Sequence, residues 1–248
     1  MKISIITATF NSAANIASVI SSLEEQDYPN IEWLVIDGKS KDDTLLKVER
    51  YQGQKNIISE KDNGIYDALN KGVNLATGEI IGLVHSDDFL ATSNIISEVA
   101  LAFQENGVDG VYGDLQYVNK EDTSKIIRYW KSKQFASDLL KKGWMPAHPT
   151  LFLRKEVYEK HGNFNLNYNI AADYDLMLRI FSDSNLKFKY LPKVITKMRV
   201  GGASNRSIKN IIMKSKEDFS AISANKIGNP YRILISKNLT KVKQFYLR

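Results

Sequence analysis

Two adjacent carboxylates, Asp87 and Asp88, follow the apolar run Ile80-Ile-Gly-Leu-Val84 with only His85 and Ser86 between. An apolar run of that length, starting just past Gly78, predicts a central strand covered on both faces. Ligands of open α/β sheets bind at the carboxyl ends of such strands. Carboxylate oxygens at that place suit a hard divalent cation, Mg²⁺ or Mn²⁺, of the kind that bridges substrate phosphates. Ser86 or Asp87 reads equally as a cap for a helix predicted to begin near Ala91. Two further acids close predicted strands, Asp37 after Ile31–Ile36 and Asp62 after Ile57–Ser59. Like charges gathered on one edge repel unless a cation or a hydroxyl-rich ligand lies among them, so Asp37, Asp62 and Asp87 predict a shared ligand site.

Two later stretches carry chemistry-bearing residues. Gly143-Trp144-Met-Pro-Ala-His148-Pro is a Pro-punctuated loop whose Trp and His read either as pocket lining or as packed loop. Asp173 falls in the first turn of a helix predicted over Ile170–Ile180, where a capping acid and a catalytic one look alike. Asp175 and Arg179, four apart on that helix, are expected to form a surface ion pair.

The elements that must hold these residues alternate. Lys2–Thr7 reads as a first strand and Asn15–Glu25 as a helix capped by Asn11 or Ser12. A second helix is expected near Thr44–Tyr51. Ile65, Ala68, Leu69, Gly72, Val73 and Ala76 then fall on one face of a third. Past it come a helix to Asn106, a strand Gly110–Val118 with Asp114 inside it, a strand Lys125–Trp130, a helix near Phe135–Lys142 and an apolar strand to Arg154. Strands and helices in that order, joined by short connections, predict a doubly wound, mostly parallel α/β sheet. No Gly-x-Gly-x-x-Gly follows the first strand and no Gly-x-x-x-x-Gly-Lys-Ser/Thr occurs, which argues against a dinucleotide oxidoreductase and a P-loop hydrolase.

The 248 residues, 43% apolar and 10% aromatic, suffice for one compact domain with an extension. There is no cysteine, so disulfides and thiolate metal sites are excluded. Polar residues interrupt the first apolar run before a signal-peptide core is complete, and no run approaches the ~20 apolar residues of a membrane span, so a cytoplasmic location is expected. Charge is uneven: Asn205–Arg248 holds ten basic residues and two acids, a net +8 on a chain whose total is +6. Such a tail is either a solvated helix or a contact for an anionic surface, membrane or nucleic acid.

In order along the chain, these motifs resemble the family 2 glycosyltransferases of bacterial capsule, exopolysaccharide and O-antigen synthesis, which share the GT-A fold. Thr7-Ala-Thr9-Phe-Asn11 is similar to the family's opening Thr-x-Thr-Tyr/Phe-Asn, and Asp37-Gly-Lys-Ser-Lys-Asp-Asp-Thr44 to its Asp-Asp-Gly-Ser-x-Asp-x-Thr. Asp62-Asn-Gly-Ile-Tyr-Asp-Ala-Leu-Asn70-Lys-Gly72 and Ala76-Thr-Gly-Glu79 follow the pattern that precedes the metal motif. The resemblance, spanning Lys2 to Ser204, implies a GT-A domain over 1–204, divided into a nucleotide-sugar half (1–118) and an acceptor half (119–204), with a basic helical extension over 205–248.

It also implies roles. Asp87, with Asp88 beside it, would hold a divalent metal, Mn²⁺ or Mg²⁺. Thr7, Thr9, Asn11, Asp37, Asp62, Asn70 and Ser86 would contact a nucleoside-diphosphate sugar, Asp37 the nucleoside. Trp144 and His148 would line the acceptor side, and Asp173 would be the general base of an inverting transfer. The acceptor implied is a saccharide, often carried on undecaprenyl diphosphate, so the basic tail would rest on the anionic inner face of the membrane. No nucleic-acid partner is implied, and homodimerisation is left open. The chain departs from the pattern at His85 in place of the first acid of the Asp-x-Asp motif, at Gly38 where a second Asp is common, at Leu69 where many members carry Arg, and at Ala172 beside the base. Rival readings are a nucleotidyltransferase, which lacks its Gly-rich basic signature here, a basic nucleic-acid-binding module, and a catalytically inactive glycosyltransferase-like binding protein.

Overall fold

A computed structural model describes residues 1–201 and 208–243. The first half alternates as expected: β1 (Ile3–Thr9), α1 (Ile16–Glu24), β2 (Ile31–Asp37), α2 (Thr44–Val48), β3 (Lys55–Ser59), α3 (Ile65–Leu75) and β4 (Ile80–Leu83). Strands β3-β2-β1-β4 lie side by side and all parallel. Thr9 pairs with Asp37 and Asp37 with Ser59, so three strands finish level and deliver their terminal residues to one edge.

Helices cover both faces of this half. Ile3, Ile5, Trp33 and Val35 meet α1, while Ile6, Leu34 and Ile36 meet α3, as the alternation of side chains along a strand requires. Gly72 lets α3 approach β1: a Cβ there would stand 2.4 Å from Ile6 Cγ2.

The second half consists of β5 (Asp88–Leu90), α4 (Ile95–Phe103), β6 (Gly110–Val118), β7 (Ile126–Trp130), α5 (Asp138–Lys141), a 3-10 turn (His148–Thr150), β8 (Phe152–Arg154), α6 (Lys155–His161), α7 (Ala172–Phe181) and β9 (Phe188–Arg199). The sheet continues β4-β8-β6-β9-β5, with β7 on β6. Here β8 runs antiparallel to both neighbours and β9 parallel to β6, so this half of the sheet is mixed. Asp88–Leu90 corrects the expected helix start near Ala91. These residues pair with Met198, Lys197 and Thr196 of β9, and the helix waits until Ile95. Neither Ser86 nor Asp87 caps it; Asn94 occupies that position.

Helices α8 (Ile208–Ala224) and α9 (Pro230–Lys243) complete the described chain, and no described helix is long and apolar enough to cross a membrane. They are packed rather than solvated: Ala221, Ile222, Ile227 and Ile233 are buried in the core that also holds Tyr174 and Met177 of α7. The expected boundary at residues 204 and 205, and the basic residues Arg206 and Arg248, lie outside the described residues. Asp175 and Arg179 do pair, Nε to Oδ2 at 3.0 Å, but Asp175 is buried and Asn225 of the tail donates to its other oxygen at 2.9 Å. The expected surface pair is therefore a buried joint between α7 and the tail.

On β2, the buried carboxylate of Glu32 accepts hydrogen bonds from Ser4 Oγ, Thr77 N, Thr77 Oγ1 and Lys2 Nζ. Burial raises its pKa, but these bonds outweigh burial and bring it down to about 2. A carboxyl depressed in the folded state stabilises above its unfolded value and loses that contribution as pH falls through the folded one. Glu32→Gln is thus expected to destabilise by about 2 kcal/mol at neutral pH. In chemical denaturation the gap to the wild type should close as pH drops from 4.5 towards 2.

Candidate active site

The carboxyl edge of β1, β2 and β3 is stitched into one surface. Asp37, fully buried, accepts from Thr9 Oγ1 at 2.9 Å, Ser59 Oγ at 2.7 Å, Ser40 N at 2.9 Å and Ser40 Oγ. Burial raises its carboxyl, but those four bonds hold it below the usual range. Asn11 takes a left-handed conformation, φ 47°, that lets its N–H reach Ser40 Oγ while its side chain accepts from Lys41 N. Ser12 N donates to Thr44 Oγ1, and Ser12 Oγ meets Ser86 Oγ at 3.0 Å, joining this surface to the end of β4. Gly38 leaves room for Asp62: a Cβ there would lie 2.5 Å from Asp62 Oδ2 and displace it. Asp62 thus occupies the space a side chain at 38 would take, and its other oxygen accepts from Gly64 N.

Asp87 is half-buried, and its carbonyl accepts from Arg199 Nη1 at 2.8 Å. Arg199, at the end of β9, also donates to Ser18 Oγ and lies over the Phe89 ring, which fixes the turn carrying both acids. Asp88 is buried, and neither of its oxygens has a well-formed hydrogen bond. Burial, then the charge of Asp87, pushes its carboxyl well up, with Arg199 only partly offsetting them. Two neighbouring carboxylates, one without a well-formed partner, are of the residue type that holds a hard cation. Among the described residues no group of three or more acids or histidines stands ready to hold a metal ion.

The base candidate stands at the start of α7. His148 Nδ1 is 3.1 Å from Asp173 Oδ2, and His148 Nε2 is 2.9 Å from His85 Nε2. An ionised carboxylate only accepts, so His148 Nδ1 carries a proton towards Asp173 whichever His donates in the second contact. Tyr66 Oη, 2.6 Å from the Ile170 carbonyl and 3.1 Å from Asp173 Oδ1, supports the other carboxylate oxygen. Burial would raise Asp173, but the His148 imidazole, Lys214 and the Tyr174 N–H together hold it well below the usual carboxylate range. His85 is pushed down to about 3, first by burial and then by His148.

Four of the expected contacts face elsewhere or inward. Thr7 Oγ1 is buried against Trp33 Nε1 at 2.9 Å, and Asp37 has its oxygens engaged by the loop it orders. Asn70 exchanges two hydrogen bonds with the backbone of Phe164, tying α3 to the segment before α7. Trp144 packs with Phe135 and Tyr112 at the rim of the aromatic core. By contrast, Asn11, Asp62, Ser86 and Asp87 lie on the strand-end surface, Thr9 is buried beneath it against Asp37, and His85 links the end of β4 to His148 and Asp173. Sequence reasoning missed Tyr66 and Arg199, and it read His85 only as a lost acid. Its pairing with His148, 63 positions away, had no local signal.

A sheet whose parallel half delivers its acids to one edge and whose other half is mixed is a GT-A-like fold. Residues 4–162 match the model of Glycosyl transferase family 2, and the chain belongs to that family. It is 31% identical over 217 residues to a PGL/p-HBAD biosynthesis glycosyltransferase of Mycobacterium bovis, covering 85% of this chain and 82% of that one. Its fold is similar to that of S. aureus TarS 1–349 in complex with UDP-GlcNAc, with a TM-score of 0.74, 19% identity and coverage of 96% of this chain and 72% of that one. It is also similar to the mannosyltransferase PcManGT of Pyrobaculum calidifontis in complex with GDP-Man and Mn²⁺, with a TM-score of 0.68, 20% identity and coverage of 95% and 68%.

Proposed function

We propose that this glycosyltransferase moves a sugar, with inversion, from a nucleoside-diphosphate sugar to a hydroxyl of a lipid-linked saccharide during assembly of a bacterial cell-surface glycan. The observation that carries the reading is Asp173, ionised, held on one oxygen by His148, approached on the other by Tyr66 Oη, and linked through His85 to the strand end that bears Asp87. The nucleotide-sugar complexes of the two structural neighbours support the donor class, and the mycobacterial relative's name, a PGL/p-HBAD biosynthesis glycosyltransferase, supports a part in glycoconjugate synthesis.

In this reading the donor lies along Asn11, Asp62 and Ser86, with Thr9 and Asp37 ordering the loop beneath it. Asp87 and Asp88 would hold a divalent metal, which would supply positive charge to the leaving diphosphate. The acceptor oxygen bonds to the anomeric carbon as the bond to the diphosphate oxygen breaks, and that electron pair leaves with the diphosphate. Asp173 takes the acceptor proton. A low resting pKa keeps Asp173 ionised, and the acceptor O–H becomes far more acidic as its oxygen bonds to carbon, so a weak base suffices. His148 aims the carboxylate.

Product analysis tests the stereochemistry. With a nucleotide sugar of defined anomeric configuration, NMR of the product should show the opposite configuration and one equivalent of nucleoside diphosphate. Retention would contradict the role of Asp173.

A further inference from the structure

We propose that the outer face of the α8–α9 hairpin is a docking surface for an anionic lipid bilayer. Tyr231, Ile235 and Leu239 follow one another at four-residue intervals on α9 and are 68%, 62% and 64% exposed. One row of a helix repeats at that interval, so the three form a single stripe. On α8, Ile211 and Ile212 are 51% and 53% exposed. The Phe219 and Tyr231 rings meet at 5.0 Å and Lys237 reaches Asp218 at 2.8 Å, a register that runs the helices antiparallel and brings Ile211 and Ile212 abreast of Leu239. Surface apolar residues are ordinary when scattered; these five are gathered on one hairpin.

The charges are sorted as well. Both acids of the hairpin turn inward. Glu217 accepts from the backbone N–H groups of Asn169, Ile170 and Ala171, the residues that lead into α7. Asp218 is buried between Lys214 and Lys237. Lys209, Lys216, Lys226 and Arg232 remain exposed. An apolar stripe flanked by cations alone complements the boundary between anionic headgroups and acyl chains. A second copy of the chain is a poorer occupant, because a two-fold contact sets the patch against itself and brings its cations together. Glu217 ties the inner face of the same hairpin to the segment that leads into Asp173, so the docking helices are braced against the site. The proposal rests on this surface, and its test does not depend on turnover.

The test is flotation of the full chain with vesicles of phosphatidylcholine alone or mixed with phosphatidylglycerol. The expected result is binding only to the mixed vesicles, lost with added salt, and weakened by at least about tenfold in Ile235→Ser/Leu239→Ser. Leu101→Ser, an equally exposed site on α4, should bind like the wild type. Sugar transfer to a soluble acceptor should be unchanged in the double variant, which separates this surface from the catalytic reading. Equal binding to both vesicle types, or no effect of the double substitution, would overturn the proposal. So would a dimer, seen by sedimentation, that the same substitutions dissolve.

Discussion

Asp173→Asn is expected to lower kcat on the order of 10²–10⁴-fold, the usual contribution of a positioned general base. Asn keeps the shape of the side chain and an oxygen that accepts from His148, so the fold and the donor surface should survive. Donor affinity, measured by calorimetry with a nucleotide sugar in the absence of acceptor, should stay within about twofold of the wild type, since a base acting on the acceptor contributes little to donor binding. A variant that turns over normally would remove Asp173 from the mechanism. One that loses donor binding and turnover together would make it a structural acid.

The second large effect concerns His148. Its Nδ1–H is one of the groups that aim Asp173 and hold its carboxyl low. His148→Ala should cut kcat by roughly 10²-fold, the cost of a catalytic group displaced by about an ångström, with little change in donor KM. It should also move the acid limb of the kcat–pH profile. Removing a hydrogen bond to the charged form raises the pKa of Asp173, so activity would be lost at a higher pH than in the wild type. His148→Asn, which can still present an N–H near the Nδ1 position, should recover part of both effects. An unmoved acid limb in His148→Ala would reduce His148 to packing.

The parallel half of the fold was legible because its strands are apolar runs ended by acids and its helices show one buried face. Ile31–Asp37 and Ile65–Leu75 match their expected limits to within a residue. The mixed half was harder. β9 carries Lys189, Pro192, Lys193 and Lys197 among its apolar residues, so it lacks the alternation of a half-buried strand, and its pairing with β5 is what replaced the expected helix start. In the site, Asp87 and His148 stand out by residue type and setting, whereas Asp173 reads first as a helix cap and only the family resemblance points to it as a base. What they touch could not be read, because the partners of Asp173 come from α3 and from a turn before β8. Asp37 and Asn70 show the converse: their motif positions pointed to a ligand, and their hydrogen bonds hold the scaffold.

The most direct measurement is a thermal-shift series with UDP, GDP, dTDP and CMP, each with and without Mn²⁺, on the wild type and on Asp87→Ala. A ligand that binds only the folded state raises its melting temperature. The account expects one nucleoside diphosphate to stabilise the wild type in the presence of Mn²⁺, and Asp87→Ala to lose that response while melting normally without ligand. Stabilisation by none of the nucleotides, or an equal response in Asp87→Ala, would contradict it.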